Sequence, residues 1–202
     1  MKKVLLVNGS PHKHGSTATA LAEAAATLTE TGVESEVFHL GNGPFYGCIA
    51  CRACNTLGHC RYEDDPANAL AEAIKGADGV IIGSPTYYAS ANGALCAVLD
   101  RSFYSQSSQF AGKPAAAIVV CRRGGAASAF DRLNKYFTIS QMPVVSSQYW
   151  NHLHGTNAEE VKQDAEGLQT IRVLARNMAN MLKHAPYPTD RSEPRAWTNF
   201  IR

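Results

Sequence analysis

No stretch of this chain stays apolar for the roughly 20 residues that a helical membrane span needs, so membrane insertion through a helix is not expected. A block of like charge is also missing. Lys and Arg total 19 against 17 Asp and Glu, for a formal net charge of +2. The basic residues are scattered, and a nucleic-acid binder would carry them as a stripe. The opening Met1-Lys2-Lys3-Val4-Leu5-Leu6-Val7-Asn8-Gly9 is basic and then apolar. Its apolar run is too short for a secretion signal and breaks at once into glycine, serine and proline, so it reads as a first strand. A cytoplasmic location is the resulting expectation. Internal repeats, low-complexity tracts and domain linkers are lacking too. What is present is the balance of an ordinary globular domain, with 45% hydrophobic and 18% charged residues in 202 residues, a length that suits one core.

Apolar, β-rich runs alternate with helical patterns along the chain. Strands are expected at Lys3–Asn8, Val33–Leu40, Asp78–Gly83, Pro114–Cys121 and Pro143–Tyr149. Helices are expected at Ser16–Thr31, from Asp65-Pro66 to about Ile74, at Ser90–Phe103, at Ala126–Phe137 and at Glu159–His184. Asp65 can cap free N–H groups and Pro66 fits a first helical turn. Strict alternation argues for a parallel sheet covered on both faces. It leaves two strand orders open, 2-1-3-4-5 and the Rossmann order.

Three loops carry chemistry at the carboxyl ends of strands one, three and four, the edge where open α/β sheets bind ligands. Gly9-Ser10-Pro11-His12-Lys13-His14-Gly15-Ser16-Thr17 joins strand to helix. Its backbone amides, hydroxyls and basic side chains suit a phosphate monoester at a helix N-terminus. It lacks the Gly-Lys-Ser/Thr ending of a P-loop and the G-x-G-x-x-G dinucleotide pattern; an ordinary βα turn capped by Ser16 is the simpler alternative. Gly83-Ser84-Pro85-Thr86-Tyr87-Tyr88-Ala89 offers a stiff turn and aromatic faces. Cys121-Arg122-Arg123-Gly124-Gly125 offers paired glycines that let backbone approach a flat ring, or merely a solvated basic turn. The pair Tyr149-Trp150 and the histidines of Asn151-His152-Leu153-His154 could line the same edge. Without an evident third ligand, packing and surface roles suit His152 and His154 better than metal.

Four of the six cysteines crowd into the long irregular segment Gly41–Asp65 as Cys48, Cys51, Cys54 and Cys60. The C-x2-C-x2-C-x5-C spacing lets thiolates converge on one side of a compact loop. That is a workable cage for a [4Fe-4S] cluster. Zinc fits less well, because structural sites usually draw on two separated ligand pairs. A disulfide set is disfavoured in a reducing compartment. Cys96 and Cys121 read as small buried hydrophobes.

Val-Asn-Gly-Ser-Pro-His followed by Gly-Ser-Thr, with Ser84-Pro85-Thr86-Tyr87 and Leu99-Asp100-Arg101 further on, resembles the NADPH-dependent FMN reductase group of the flavodoxin-like superfamily. The cysteine spacing resembles its iron–sulfur flavoprotein branch. Two positions depart from the family: His12 replaces the usual arginine, and Ser16 the usual asparagine. The resemblance implies a flavodoxin-like, doubly wound three-layer sandwich with a five-stranded parallel sheet in order 2-1-3-4-5. It implies FMN held by Ser10, His12, Ser16, Thr17 and Ala18, by Pro85, Thr86, Tyr87, Tyr88 and Ala89, and by Arg123, Gly124 and Gly125. Cys48, Cys51, Cys54 and Cys60 would be the cluster ligands, and Asp100 and Arg101 an ion pair or interface contact.

The domain would span residues 1–185, with a cysteine-rich insertion at 41–65 and an arm at 186–202 whose Trp197 to Arg202 stretch clasps the body or a partner. The implied activity is oxidoreduction: NAD(P)H reduces bound FMN, which reduces a small acceptor such as a flavin or quinone. The alternative is an iron–sulfur flavoprotein fed single electrons by a ferredoxin-type donor. A homodimer or homotetramer is expected. A simple flavodoxin carrier would be strongly acidic, and the charge of +2 argues against it. A nucleotide-sensing module without turnover is the remaining rival. No side chain stands out as a general acid or base, because the flavin carries the chemistry.

Overall fold

The computed structural model describes residues 1–190 together with Ser192, Glu193, Ala196 and Thr198. The expected clasp rests on Trp197, Phe200 and Ile201, which lie outside the described residues. Among the described residues no helix is long and apolar enough to cross a membrane.

Strand β1 (Lys3–Asn8) is followed by helix α1 (Ser16–Glu30) and strand β2 (Glu34–His39). A short helix α2 (Cys54–Leu57) sits within the cysteine-rich segment and leads to α3 (Ala67–Gly76). Strand β3 (Gly79–Tyr87) turns into the two-residue strand β4 (Ser90–Ala91), and α4 (Gly93–Gln106), β5 (Ala115–Cys121) and α5 (Ala126–Ile139) follow. Strand β6 (His152–His154) and helices α6 (Ala158–Val161) and α7 (Ala165–Leu182) close the described fold.

The parallel strands run in the order β2-β1-β3-β5-β6, with β4 pairing back on β3 in antiparallel fashion. Counting the parallel strands alone, this is 2-1-3-4-5, the flavodoxin order. Period-two alternation builds both faces. In β1, Leu5 and Val7 join the core under α3, α4 and α5, while Val4 and Leu6 join the core under α1 and α7. In β5 every residue is buried, as expected for a central strand covered on both sides. The edge strand β2 is different: Glu34 and Glu36 are exposed, and Lys3 Nζ bridges to Glu36 at 3.0 Å. Charge on an edge discourages further strand pairing.

Three expected elements are revised. The helix expected from Ser90 starts at Gly93, because Ser90 and Ala91 pair with β3 as β4 and Asn92 caps the helix. The last strand does not run from Pro143 to Tyr149. Val144 forms only a bridge to Ala115, with Val145 N–H donating to Ala115 O at 2.8 Å. The chain then bulges outward and rejoins β5 at His152–His154. Asn151 explains the detour: its side-chain N–H donates to Ala117 O and its carbonyl accepts from Val119 N, filling ladder positions while Tyr149 and Trp150 face solvent. The long final helix is likewise broken into α6 and α7. Asp164 causes the break by capping α7, its carboxylate accepting from Gly167 N and from His154 N.

Candidate functional site

The first loop is braced from within. Asn8 Oδ1 accepts from Ser10 N at 3.1 Å, and Ser10 Oγ accepts from His12 N at 3.1 Å. Asn92, buried at the start of α4, donates from Nδ2 to Gly9 O at 2.7 Å, while its own N–H donates to Ser84 Oγ. One asparagine therefore ties the loop after β1 to the loop after β3. Helix α1 opens at Gly15 with no side chain capping it. A capless N-terminus leaves amide donors and the positive dipole end available to an anion.

A cleft of about 250 Å³ lies at this carboxyl edge, lined by Ser10, His12, Ser16, Thr17, Pro85, Thr86, Tyr87, Val120, Cys121, Arg122, Gly155 and Thr156. Two buried hydroxyls, Thr17 Oγ1 and Thr86 Oγ1, have no hydrogen-bond partner among the described residues. A buried hydroxyl left unpaired costs about 1–3 kcal/mol. Two of them in one cleft suit a polar occupant. The residues present fit a phosphate at α1 and a polar chain and ring running past β3.

Seven of the thirteen residues expected to contact FMN line this cleft: Ser10, His12, Ser16, Thr17, Pro85, Thr86 and Tyr87. Ala18 stands half-buried one position beyond Thr17. Tyr88 and Ala89 form the tip of the β3–β4 hairpin, both with positive φ, of 48° and 56°. Tyr88 projects fully into solvent. Arg123 and Gly124 are exposed and do not line the cleft, whereas Arg122 does. Gly125 packs directly beneath the hairpin tip. Cys121 is buried against the cleft, and burial pushes its thiol up. Gly155 and Thr156 were not anticipated, because their loop follows the strand that the sequence misplaces.

Next to the cleft is an open basin whose walls include His12, Lys13, His14 and His39. Burial, together with the nearby charges of Lys13 and His14, pushes the His39 imidazole below its ordinary value.

The four crowded cysteines come together. Cys48, Cys51, Cys54 and Cys60 line one small pocket with Ile49, Arg52, Arg61, Tyr62, Arg101, Tyr104 and Ser105. All four thiols are free. Two non-glycine residues of this loop, Ala50 and Arg52, hold positive φ, of 53° and 58°, conformations that persist only where surroundings impose them. Burial, and then the other three cysteines, push the Cys54 thiol up. Among the described residues no three Cys, His, Asp or Glu side chains are placed to hold a single metal ion. A polynuclear cluster binds its thiolates at separate corners, and four free thiols around one pocket fit that demand better than a mononuclear site.

The pocket stands apart from the carboxyl-edge cleft, with which it shares no lining residue. It is walled by the second half of α4, and Arg101 lies about 13 Å beyond Asn92 at the helical rise of 1.5 Å per residue. Arg101 is the residue that sequence reasoning undervalued. The expected Asp100–Arg101 pair does not form: Arg101 pairs with Asp65, both side chains 1% exposed, and Arg101 Nη1 also donates to Cys60 Sγ at 3.5 Å. Asp100 faces elsewhere, accepting from Arg132 and from Tyr136 Oη.

Comparison with known proteins agrees with this architecture. The family model described as NADPH-dependent FMN reductase matches residues 2–156. An iron–sulfur flavoprotein of Methanocaldococcus jannaschii is 31% identical, over 90% of this chain and 97% of its own length. An iron–sulfur flavoprotein of Methanosarcina thermophila is 28% identical, over 90% of this chain and 95% of its own. Among solved structures, RosB with a bound 8-demethyl-8-formylriboflavin-5'-phosphate superposes with a TM-score of 0.73 at 16% identity, covering 100% of this chain and 93% of that one. A WrbA-like flavodoxin from Agrobacterium tumefaciens gives 0.64 at 15% identity, covering 91% and 99%. At such identities these likenesses speak for the fold. The sequence match and the flavodoxin-ordered sheet together make this chain a member of the NADPH-dependent FMN reductase family, a flavin-dependent oxidoreductase.

Proposed function

We propose that the chain is a two-centre redox protein. FMN binds at the carboxyl-edge cleft, a [4Fe-4S] cluster binds at Cys48, Cys51, Cys54 and Cys60, and single electrons come from a ferredoxin-type partner. The observation that carries the reading is the pocket that gathers four free thiols, in a chain whose sheet edge separately offers a cleft with two unpaired hydroxyls among the described residues. The full-length likeness to iron–sulfur flavoproteins supports it.

When bound, FMN supplies the ring that accepts and releases electrons, and the cluster supplies one-electron transfer. The protein's own residues do the rest. The uncapped start of α1, Ser10, Ser16 and Ala18 bind the phosphate, with His12 at the rim where the family places arginine. Thr17 and Thr86 donate or accept through hydroxyls that have no other partner among the described residues. Pro85 and Tyr87 form one wall beside the ring, with the Tyr88-Ala89 hairpin tip at its rim. Gly125 lets the opposite loop close under that wall. Arg122, with Arg123 and Gly124 beyond it, brings positive charge to the ring's edge. Residues 1–185 act as the flavin domain, the insertion 41–65 as the cluster carrier and 186–202 as an arm. Because the cysteine pocket hangs on the far half of α4, transfer between centres on neighbouring copies suits a dimer or tetramer better than transfer within one chain. Six free thiols suit a reducing, cytoplasmic setting.

A second reading is a nicotinamide-driven reductase with a free flavin or quinone as acceptor. The family description favours it. Purification without oxygen, followed by a visible spectrum and assays of iron and labile sulfide, separates the two. Flavin with about four irons per chain and reduction by ferredoxin is the result expected of the two-centre protein. Flavin without iron, reduced rapidly by NADPH or NADH, would establish the second reading. A chain that takes up no FMN even when it is supplied would overturn both.

A further inference from the structure

Arg101 is 2% exposed and its guanidinium is almost fully committed. Nη2 pairs with the Asp65 carboxylate, which is itself held by the N–H groups of Ala67 at 3.0 Å and Tyr46 at 3.3 Å. The guanidinium carbon lies 5.6 Å from the centroid of the Tyr62 ring. Nη1 donates to Cys60 Sγ at 3.5 Å. Nε is buried and unpartnered among the described residues.

As a packing device this arrangement is expensive. Desolvating an arginine and a carboxylate often costs more than their attraction returns, and apolar residues of similar volume would serve stability as well or better. The unusual feature is the acceptor. A neutral thiol is a weak acceptor, whereas a hydrogen bond from a cation to a negatively charged sulfur is charge-assisted and markedly stronger. The geometry makes sense once Cys60 carries negative charge as a ligand.

We infer that Arg101 is a positioning residue that holds Cys60 and raises the reduction potential of the centre bound by the four cysteines. This rests on the reading that they hold an iron–sulfur cluster. One-electron reduction of such a cluster adds a single negative charge, breaks no bond, and spreads that charge partly over the ligand sulfurs. An N–H aimed at one sulfur therefore favours the reduced form, and hydrogen bonds to sulfur are among the main determinants of cluster potential. Asp65 contributes by fixing the plane of the guanidinium. It also offsets much of the net charge, so the directed N–H⋯S bond is what distinguishes the two oxidation states.

The test compares wild-type protein with Arg101→Gln, Arg101→Lys and Asp65→Asn, all purified without oxygen and reconstituted with ferrous iron and sulfide. The readouts are iron and sulfide content, melting temperature, and the midpoints of cluster and flavin in one redox titration followed by electron paramagnetic resonance and absorbance. The expected result is a cluster midpoint moved to more negative potential in Arg101→Gln, a smaller move in Arg101→Lys, and an unmoved flavin midpoint in both. A merely structural arginine would lower the melting temperature and leave the midpoint in place. If Arg101→Gln fails to fold, Arg101→Lys carries the comparison, since it keeps a cation at the site and loses the guanidinium N–H aimed at Cys60. Cluster midpoints equal to wild type in every variant that folds would overturn the inference while leaving the two-centre reading intact. Wild-type protein that takes up no iron and sulfide would overturn the two-centre reading, and the inference with it.

Discussion

Gly125 lies against Ala89 so closely that a Cβ at Gly125 would stand 2.7 Å from Ala89 Cα. The contact joins the loop after β5 to the tip of the β3–β4 hairpin, the two loops expected on either side of the flavin. Gly125 also holds φ of +84°, in the left-handed region that side chains disfavour by roughly 1–2 kcal/mol. Gly125→Ala must either push the hairpin outward or rotate its own backbone. The expected outcome is a loss of stability of about 1–2 kcal/mol and weaker FMN binding, by about tenfold for each 1.4 kcal/mol lost at the cleft. Gly124→Ala is the control, because nothing lies within 4 Å of its Cβ position. Denaturant melts and flavin-fluorescence titrations of both variants check this; equal FMN affinity in the two would show that the contact is irrelevant to the cleft.

The hairpin tip is strained as well as crowded. Thr86 pairs with Ala91 and Tyr87 with Ser90, so Tyr88 and Ala89 are the two central residues of the turn. With both at positive φ the turn has the sense of type I′, which strongly prefers Asn-Gly. A tyrosine held there, its ring in solvent, is the kind of local cost that collects at functional sites. Tyr88→Asn combined with Ala89→Gly is expected to stabilise the apoprotein by about 1 kcal/mol or more. The same change is expected to lower the rate of electron transfer through FMN, because the aromatic face is lost. A double variant both more stable and fully active would mean that the strained tyrosine has no redox role.

Thr17 allows a prediction of opposite sign in the two states. Its hydroxyl is buried and has no hydrogen-bond partner among the described residues. Thr17→Val keeps the shape and removes the orphan, so the apoprotein should keep its melting temperature or gain up to the 1–3 kcal/mol or so that an unpaired buried hydroxyl costs. With FMN present the hydroxyl has work to do, and the variant should bind FMN about tenfold more weakly, a loss near 1.4 kcal/mol. Melting curves with and without FMN decide it. A parallel loss of stability in both states would mean that the hydroxyl is paired within the chain.

Most of this architecture was legible before the structure. Alternation of strand and helix, the phosphate-type loop after β1 and the cysteine spacing all depend on short-range pattern, which sequence displays directly. Three things were not. The last strand was misplaced because Val144 and Val145 signal β-structure, whereas the deciding group is the Asn151 side chain, which satisfies β5 from outside the ladder. The break between α6 and α7 hid inside a continuous helical period, and only the cap at Asp164 marks it. Arg101 read as one half of a local Asp-Arg pair. Its true partners, Asp65 and Cys60, are 36 and 41 residues away in sequence, a distance over which spacing carries no signal.

At the opposite end of the sheet, Asp78 pins the start of β1. Its carboxylate accepts from Lys3 N at 2.9 Å and pairs with Lys2 Nζ at 3.1 Å. Burial alone would push this carboxyl up. The Lys3 N–H bond and the Lys2 ammonium outweigh burial and hold it below its ordinary value. A carboxyl lowered by folding contributes stability that is fully present above the unfolded-state value near 4 and is lost as pH falls through the lower folded value. Asp78→Asn should therefore cost most at neutral pH, by about 1 kcal/mol or less because the ion pair is partly exposed and screened. The gap between variant and wild type should close as the pH drops below about 4. Urea melts of both proteins at pH 7 and at successively lower pH measure that gap directly. A gap that widens on acidification would mean that Asp78 is protonated more easily in the folded chain than in the unfolded one, contrary to the bonds it accepts.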